Sequence, residues 1–175
     1  MATELTWQDL RKRSASPEEI LALLQITRPP VDVRQILIDL GVEVEFVLQG
    51  DLPGVSGMLQ IKRDTGKAII KLPRKHVLGR QRFTLAHELG HLMYHDIGDE
   101  GIHRDDTFTG NRMEVEANEF AAELLVPMSF LERYAEPLKY DVDNLASLFE
   151  VSTRTMEIRL EKFATIALGN EFLYG

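Results

Sequence analysis

Apolar positions recur at helical spacing in five stretches of the chain and alternate at strand spacing in one. Val33, Ile36, Leu37 and Leu40 fall on one helical face, bracketed by Asp32 with Gln35 as a start signal and Gly41 as a stop. Ser16-Pro17-Glu18-Glu19 predicts an earlier helix running to about Gln25: Ser16 caps, Pro17 suits the first turn and Glu19 takes the capping-box position. Phe83, Leu85, Ala86, Leu89, Leu92 and Met93 predict a helix from Arg80 to about His95. A further helix is expected from Arg112 to about Leu125, stopped by Pro127, and a short one around Phe130 and Leu131. Val42 to Val47 alternates as a strand does. The runs from Val55 to Ile61 and from Lys67 to Leu72 favour strands, with turns at Pro53-Gly54 and Asp64-Thr65-Gly66. These three strands predict a small antiparallel meander. Asp96 to Gly110 is polar and glycine-bearing, which predicts a loop.

The expected fold class is therefore α+β, a three-stranded antiparallel sheet packed on a mainly helical body. The segment Asn144 to Leu160 carries Leu145, Leu148, Val151, Met156 and Leu160 as a small core around a turn at Glu150-Val151-Ser152, with Ser152 as a cap. It has the form of a helix-turn-helix, within a pair of short helices expected from Asp141 to Phe163. The organisation predicted is a helical segment over 1–30, a main domain over 31–138, a helix-turn-helix-like module over 139–164 and a tail over 165–175.

Composition narrows the chemistry. The 175 residues suit one domain with a small appendage, and 44% hydrophobic residues support a core. No apolar run approaches the roughly 20 residues of a membrane span, and the first residues lack the pattern of a signal peptide. Cysteine is absent, so disulfides and thiolate metal sites are excluded, and a cytoplasmic location is expected. The net charge of −8 opposes binding to nucleic-acid phosphates, leaving a protein partner as the natural expectation. For the helix-turn-helix-like module, DNA contact would fall to Arg154 and Arg159; the acidic total favours a structural module instead.

The chemistry-bearing segment is His87-Glu88-Leu89-Gly90-His91. Four residues are about one helical turn, so both imidazoles leave the same face and can converge on one ion. Glu88 is offset by about 100° and can hold a water without binding the ion, the position of a general base. A catalytic zinc normally takes three protein ligands. Glu114 and Asn118, four apart on the second long helix, supply a candidate third ligand and a candidate partner for an imidazole. Glu116 competes with Glu114. His95 continues the series, but eight residues carry it about 80° from His87, too far for an easy ligand on a straight helix, which leaves it a capping or core role. His76 and His103 lie in turn or loop regions and are candidates to stabilise an oxyanion, against the simpler reading of solvated histidines. The alternative for the whole set is a core helix with incidental histidines.

Arg82-Phe83-Thr84-Leu85-Ala86-His87-Glu88-Leu89-Gly90-His91 closely resembles the zinc-site helix of the ImmA/IrrE metallopeptidases, and Glu116 to Pro127 resembles that family's second signature. The resemblance runs from about Val31 to Leu160. It implies Glu114 as third ligand, because the family's ligand lies four residues before the asparagine. Val126-Pro127 replaces the family's usual methionine-proline. The resemblance further implies Zn2+ as cofactor and a cytoplasmic peptidase. Its substrate would be a helix-turn-helix (XRE-like) repressor or antitoxin-type protein encoded nearby, cleaved by water attack with Glu88 as base. Two other readings stand beside it: a non-catalytic zinc-containing regulator that binds a repressor, and a DNA-binding transcription factor. A substrate could lie along Val55 to Leu59 as an added strand.

Overall fold

The computed structural model describes residues 5–52, 54–97, 102–104 and 112–174, with backbone alone at 49, 102–104 and 168–174. Helices α1 (Trp7–Lys12), α2 (Pro17–Leu23) and α3 (Val33–Asp39) come first. Thr6 with Asp9 and Ser16 with Glu19 form complete capping boxes on α1 and α2, and the Asp32 side chain accepts from the Gln35 N–H on α3. α1 was not expected as a distinct element. It donates from Arg11 Nη1 to the Leu92 carbonyl at 3.1 Å, which ties the N-terminal segment to the end of the central helix.

Strands β1 (Glu43–Val47), β2 (Met58–Ile61), β3 (Ala68–Pro73) and β4 (Ile102–Arg104) form one sheet in the order β1-β3-β2-β4. The α+β class stands, but the sheet is not the expected meander. β1 pairs with β3 in parallel, Val44 opposite Ile70, while β2 pairs antiparallel with both β3 and β4. Burial explains the order. β3 carries buried Ala68, Ile69, Ile70 and Leu72 and takes an interior place, whereas β1, with Glu43 and Glu45, suits an edge. The β2–β3 turn follows expectation: the Gly66 N–H donates to the Lys62 carbonyl at 2.7 Å, with Gly66 at φ +66°. β4 lies inside the stretch expected to be loop; the rest of 98–111 lies outside the described residues.

The helical body consists of α4 (Leu78–Tyr94), α5 (Arg112–Leu125), α6 (Met128–Tyr134), α7 (Val142–Phe149) and α8 (Thr153–Tyr174). α8 runs well beyond Phe163, through the stretch expected as a tail. One apolar cluster extends from Trp7 to Met156 and includes Leu37, Ile70, Leu89, Phe120, Leu124 and Phe149. α7 and α8 are joined to this body by two buried arginines. Arg82 of α4 donates to the carbonyls of Phe149 and Glu150 at the end of α7, at 3.2 and 3.1 Å. Arg159 of α8 donates to the Val126 carbonyl at 2.9 Å. Arg159 is 2% exposed, so the candidate for DNA contact is turned into the protein, where it satisfies an orphan carbonyl past the end of α5. Arg154 is exposed and pairs with Glu157.

Candidate metal centre

α4 and α5 pack closely because both present small residues at their contact. A Cβ built on Gly90 would lie 3.1 Å from the Ala117 Cα and 3.2 Å from its carbonyl oxygen, inside ordinary van der Waals separation. This approach brings Glu114 and Asn118 to the face of α4 that carries the histidines. The Nε2 atoms of His87 and His91 are 3.0 Å apart. Glu114 places Oε2 3.2 Å from His87 Nε2 and Oε1 3.3 Å from His91 Nε2. Both imidazoles are buried and Glu114 is half-buried.

These distances have a simple geometric meaning. A tetrahedral zinc with bonds of about 2.0–2.1 Å separates its ligands by about 3.3–3.4 Å. The separations of 3.0, 3.2 and 3.3 Å, between the two Nε2 atoms and from each of them to a different Glu114 oxygen, are of the size that ligands sharing one ion require. The donor set, two imidazoles and one carboxylate, also matches a catalytic rather than a four-residue structural site.

Asn118 stands where the sequence pattern expected it, its Oδ1 2.9 Å from His87 Nδ1. An amide oxygen only accepts, so His87 carries its proton on Nδ1 and keeps a lone pair on Nε2. The Phe83 ring stacks on His87 from the preceding turn, centroids 6.5 Å apart. Glu88 is fully buried beside the cluster. Its carboxylate lies against Gly57: a Cβ there would sit 2.8 Å from Glu88 Oε1 and 2.6 Å from Thr84 Cγ2. The sequence patterns did not single out Gly57, because only the tertiary approach of the segment before β2 brings its Cα against the Thr84 and Glu88 side chains.

The remaining candidates separate. Glu116 turns away from the cluster, accepting from Arg112 Nε at 2.7 Å and lying 3.1 Å from His95 Nε2. The hydrogen bond from Arg112, and then that from His95, hold its carboxyl below the usual carboxylate range. His95 contributes no atom to the three-residue group; its Nδ1 lies 2.9 Å from Nδ1 of His91. His76 sits in the turn between β3 and α4 with its carbonyl accepting from Gln81, and burial pushes its imidazole pKa down. The backbone of His103 pairs opposite Leu59 in β4, and its side chain lies outside the described residues. The expected substrate edge also needs correction. β2 is flanked by β3 and β4, so Met58 and Leu59 do not form an open edge, and only residues 55–57 precede the β4 ladder.

Comparison with known proteins agrees with this geometry. The chain is 23% identical over 124 residues to metallopeptidase ImmA of Bacillus subtilis strain 168, an alignment covering 70% of this chain and 72% of that one. Its fold is similar to that of a solved Mycobacterium tuberculosis transcriptional regulator, with a TM-score of 0.60 and 23% identity over 87% of this chain. The chain spans 46% of that protein's length. No helix among the described residues is long and apolar enough to cross a membrane. The sequence profile of the M78 peptidases, described as the IrrE N-terminal-like domain, matches residues 50–161, and the chain therefore belongs to that metallopeptidase family.

Proposed function

We propose that the protein is a zinc-dependent endopeptidase in which His87, His91 and Glu114 hold the ion and Glu88 is the catalytic acid–base. The observation that carries this reading is the convergence of three donor side chains, with contacts of 3.0 to 3.3 Å among them, and the full burial of Glu88, the residue after His87. Zinc bound there supplies Lewis acidity, polarising the scissile carbonyl and making water a competent nucleophile near neutral pH. Glu88 accepts the proton of the attacking water as its oxygen bonds to the carbonyl carbon. It returns that proton to the amide nitrogen as the C–N bond breaks. Asn118 keeps His87 in the tautomer that presents Nε2, and Gly57 leaves room for the Glu88 carboxylate.

The substrate in this reading is a helix-turn-helix repressor or antitoxin-type protein, in keeping with the family resemblance and with the metallopeptidase ImmA as a relative. The test is incubation of the zinc-loaded protein with the helix-turn-helix protein encoded beside it, followed by intact-mass measurement. Two discrete fragments are expected, none with chelator, and none with Glu88→Gln, which should still bind zinc. Cleavage by zinc-loaded Glu88→Gln would overturn the mechanism. Tight binding without any cleavage would move the protein to the class of non-catalytic regulators.

A further inference from the structure

His91 and His87 do not receive the same support. Where His87 meets a neutral amide, the far nitrogen of His91 meets a second histidine, which in turn meets a carboxylate held by an arginine. We propose that His95 and Glu116 are positioning residues that fix the tautomer of His91 and so present its Nε2 lone pair to the metal. The proposal rests on the metal-site reading above and extends it to residues that would not touch the ion.

The proton positions follow from the donors and acceptors along the chain of contacts. The Glu116 carboxylate only accepts. Arg112 Nε donates to its Oε1 at 2.7 Å and holds the group in place. Its Oε2 lies 3.1 Å from His95 Nε2, so that nitrogen carries a hydrogen and donates. A neutral His95 then has a lone pair on Nδ1. His91 Nδ1 is 2.9 Å from it and must donate, which leaves His91 Nε2 as the unprotonated nitrogen. That nitrogen is the one 3.0 Å from His87 Nε2 and 3.3 Å from Glu114. The opposite direction of the His91–His95 bond would place the proton of His91 on Nε2 and remove one ligand.

The i, i+4 interval places His95 beside His91, at the point where α4 ends at Tyr94. His95 is the C-cap residue, at φ −114° and ψ 150°. Its ring lies beside that of His91, with centroids 4.9 Å apart. It is 6% exposed, so water does not easily substitute for the imidazole. Burial without a partner would be costly for either ring, and each satisfies the other. Imidazole ligands held by a second group through their other nitrogen are a general feature of metal sites, and loss of that group typically lowers metal affinity about 10–100-fold.

The experiment uses the full chain and two substitutions. His95→Phe keeps a buried ring and removes both polar contacts. In His95→Gln the amide oxygen can accept from His91 Nδ1–H while the amide nitrogen donates to Glu116. Zinc affinity is measured by competition with a chelating dye, and imidazole tautomers by long-range 1H–15N NMR of the chelator-treated protein. Wild type and His95→Gln should show His91 protonated on Nδ1. His95→Phe should lose that single tautomer and bind zinc about 10–100-fold more weakly, with His95→Gln recovering most of the loss. An unchanged zinc affinity in His95→Phe would overturn the proposal. So would His91 protonated on Nε2 in the wild type, a readout that needs neither zinc nor cleavage. If His95→Phe does not fold, the wild-type tautomer and the affinity of His95→Gln decide the question. A wild type that binds no zinc would instead refute the metal-site reading.

Discussion

Replacing Gly90 with alanine would test whether the close approach of α4 and α5 sets the metal geometry. The added methyl would meet the Ala117 Cα and the Phe120 Cβ at 3.1 Å and the Ala117 carbonyl oxygen at 3.2 Å. Comfortable carbon–carbon contact begins near 3.5 Å, so the shortfall is about 0.4 Å. Two of the three obstructing atoms are backbone, so α5 itself has to move. Overpacking of this kind costs about 1–3 kcal/mol, and the better helix propensity of alanine returns about 0.8–1.0 kcal/mol. The expected net is a loss of about 1 kcal/mol, or a fall of about 2–4 °C in Tm for a chain of this size. A shift of about 0.4 Å also exceeds the ~0.2 Å tolerance of a metal site, so zinc affinity should fall about tenfold or more, since Glu114 rides on the displaced helix. Gly79 provides the control on the same helix: nothing lies within 4 Å of its added Cβ. Gly79→Ala should leave zinc affinity unchanged and not lower Tm. The assay is thermal denaturation of the chelator-treated proteins together with zinc competition. A Gly90→Ala protein with raised Tm and unaltered zinc affinity would refute the reasoning.

Two further outcomes are expected. Zinc at about 100 times its dissociation constant should stabilise the fold by about 2.7 kcal/mol, so a chelator should lower Tm reversibly in the wild type and have no effect in His91→Ala; equal shifts in both would contradict it. The Asp9 and Glu19 carboxyls have lowered pKa values because side-chain and backbone hydrogen bonds in the capping boxes favour their charged forms. Their contribution is present above the unfolded-state pKa and lost as pH falls through the folded one. Stability should therefore decline between about pH 5 and pH 3, and Glu19→Gln should flatten that decline in pH-dependent melts; an identical acid profile would contradict it.

Local signals made much of the fold legible. The Ser16 capping box, the Asp32 cap, Gly41 and Pro127 are interactions among near neighbours, and the helices they bound appear where the residues place them. The partner of β1 was not legible, because the choice between β2 and β3 is decided by burial across the whole sheet. α8 extends past Phe163 through residues whose apolar positions give no clear helical face. At the site, one-turn spacings put His87 with His91 and Glu114 with Asn118 on shared helical faces, while the choice of Glu114 over Glu116 is what the family resemblance implies. His95, expected in a capping or core role rather than as a ligand, is the buried C-cap residue of α4. The i, i+4 interval from His91 was the available signal, and it marks a neighbour of the ligand rather than a ligand. Glu116, the competing candidate for the ion, lies on a face of α5 that leads to Arg112 and His95.

The central claim is that one ion sits among three specific side chains. Crystals grown with zinc and measured on both sides of the zinc absorption edge would locate it directly. One anomalous peak per chain is expected, enclosed by His87 Nε2, His91 Nε2 and the Glu114 carboxylate, with Glu88 beside it but not bound. A peak elsewhere, no peak at saturating zinc, or an ion ligated by Glu116 in place of Glu114 would contradict it.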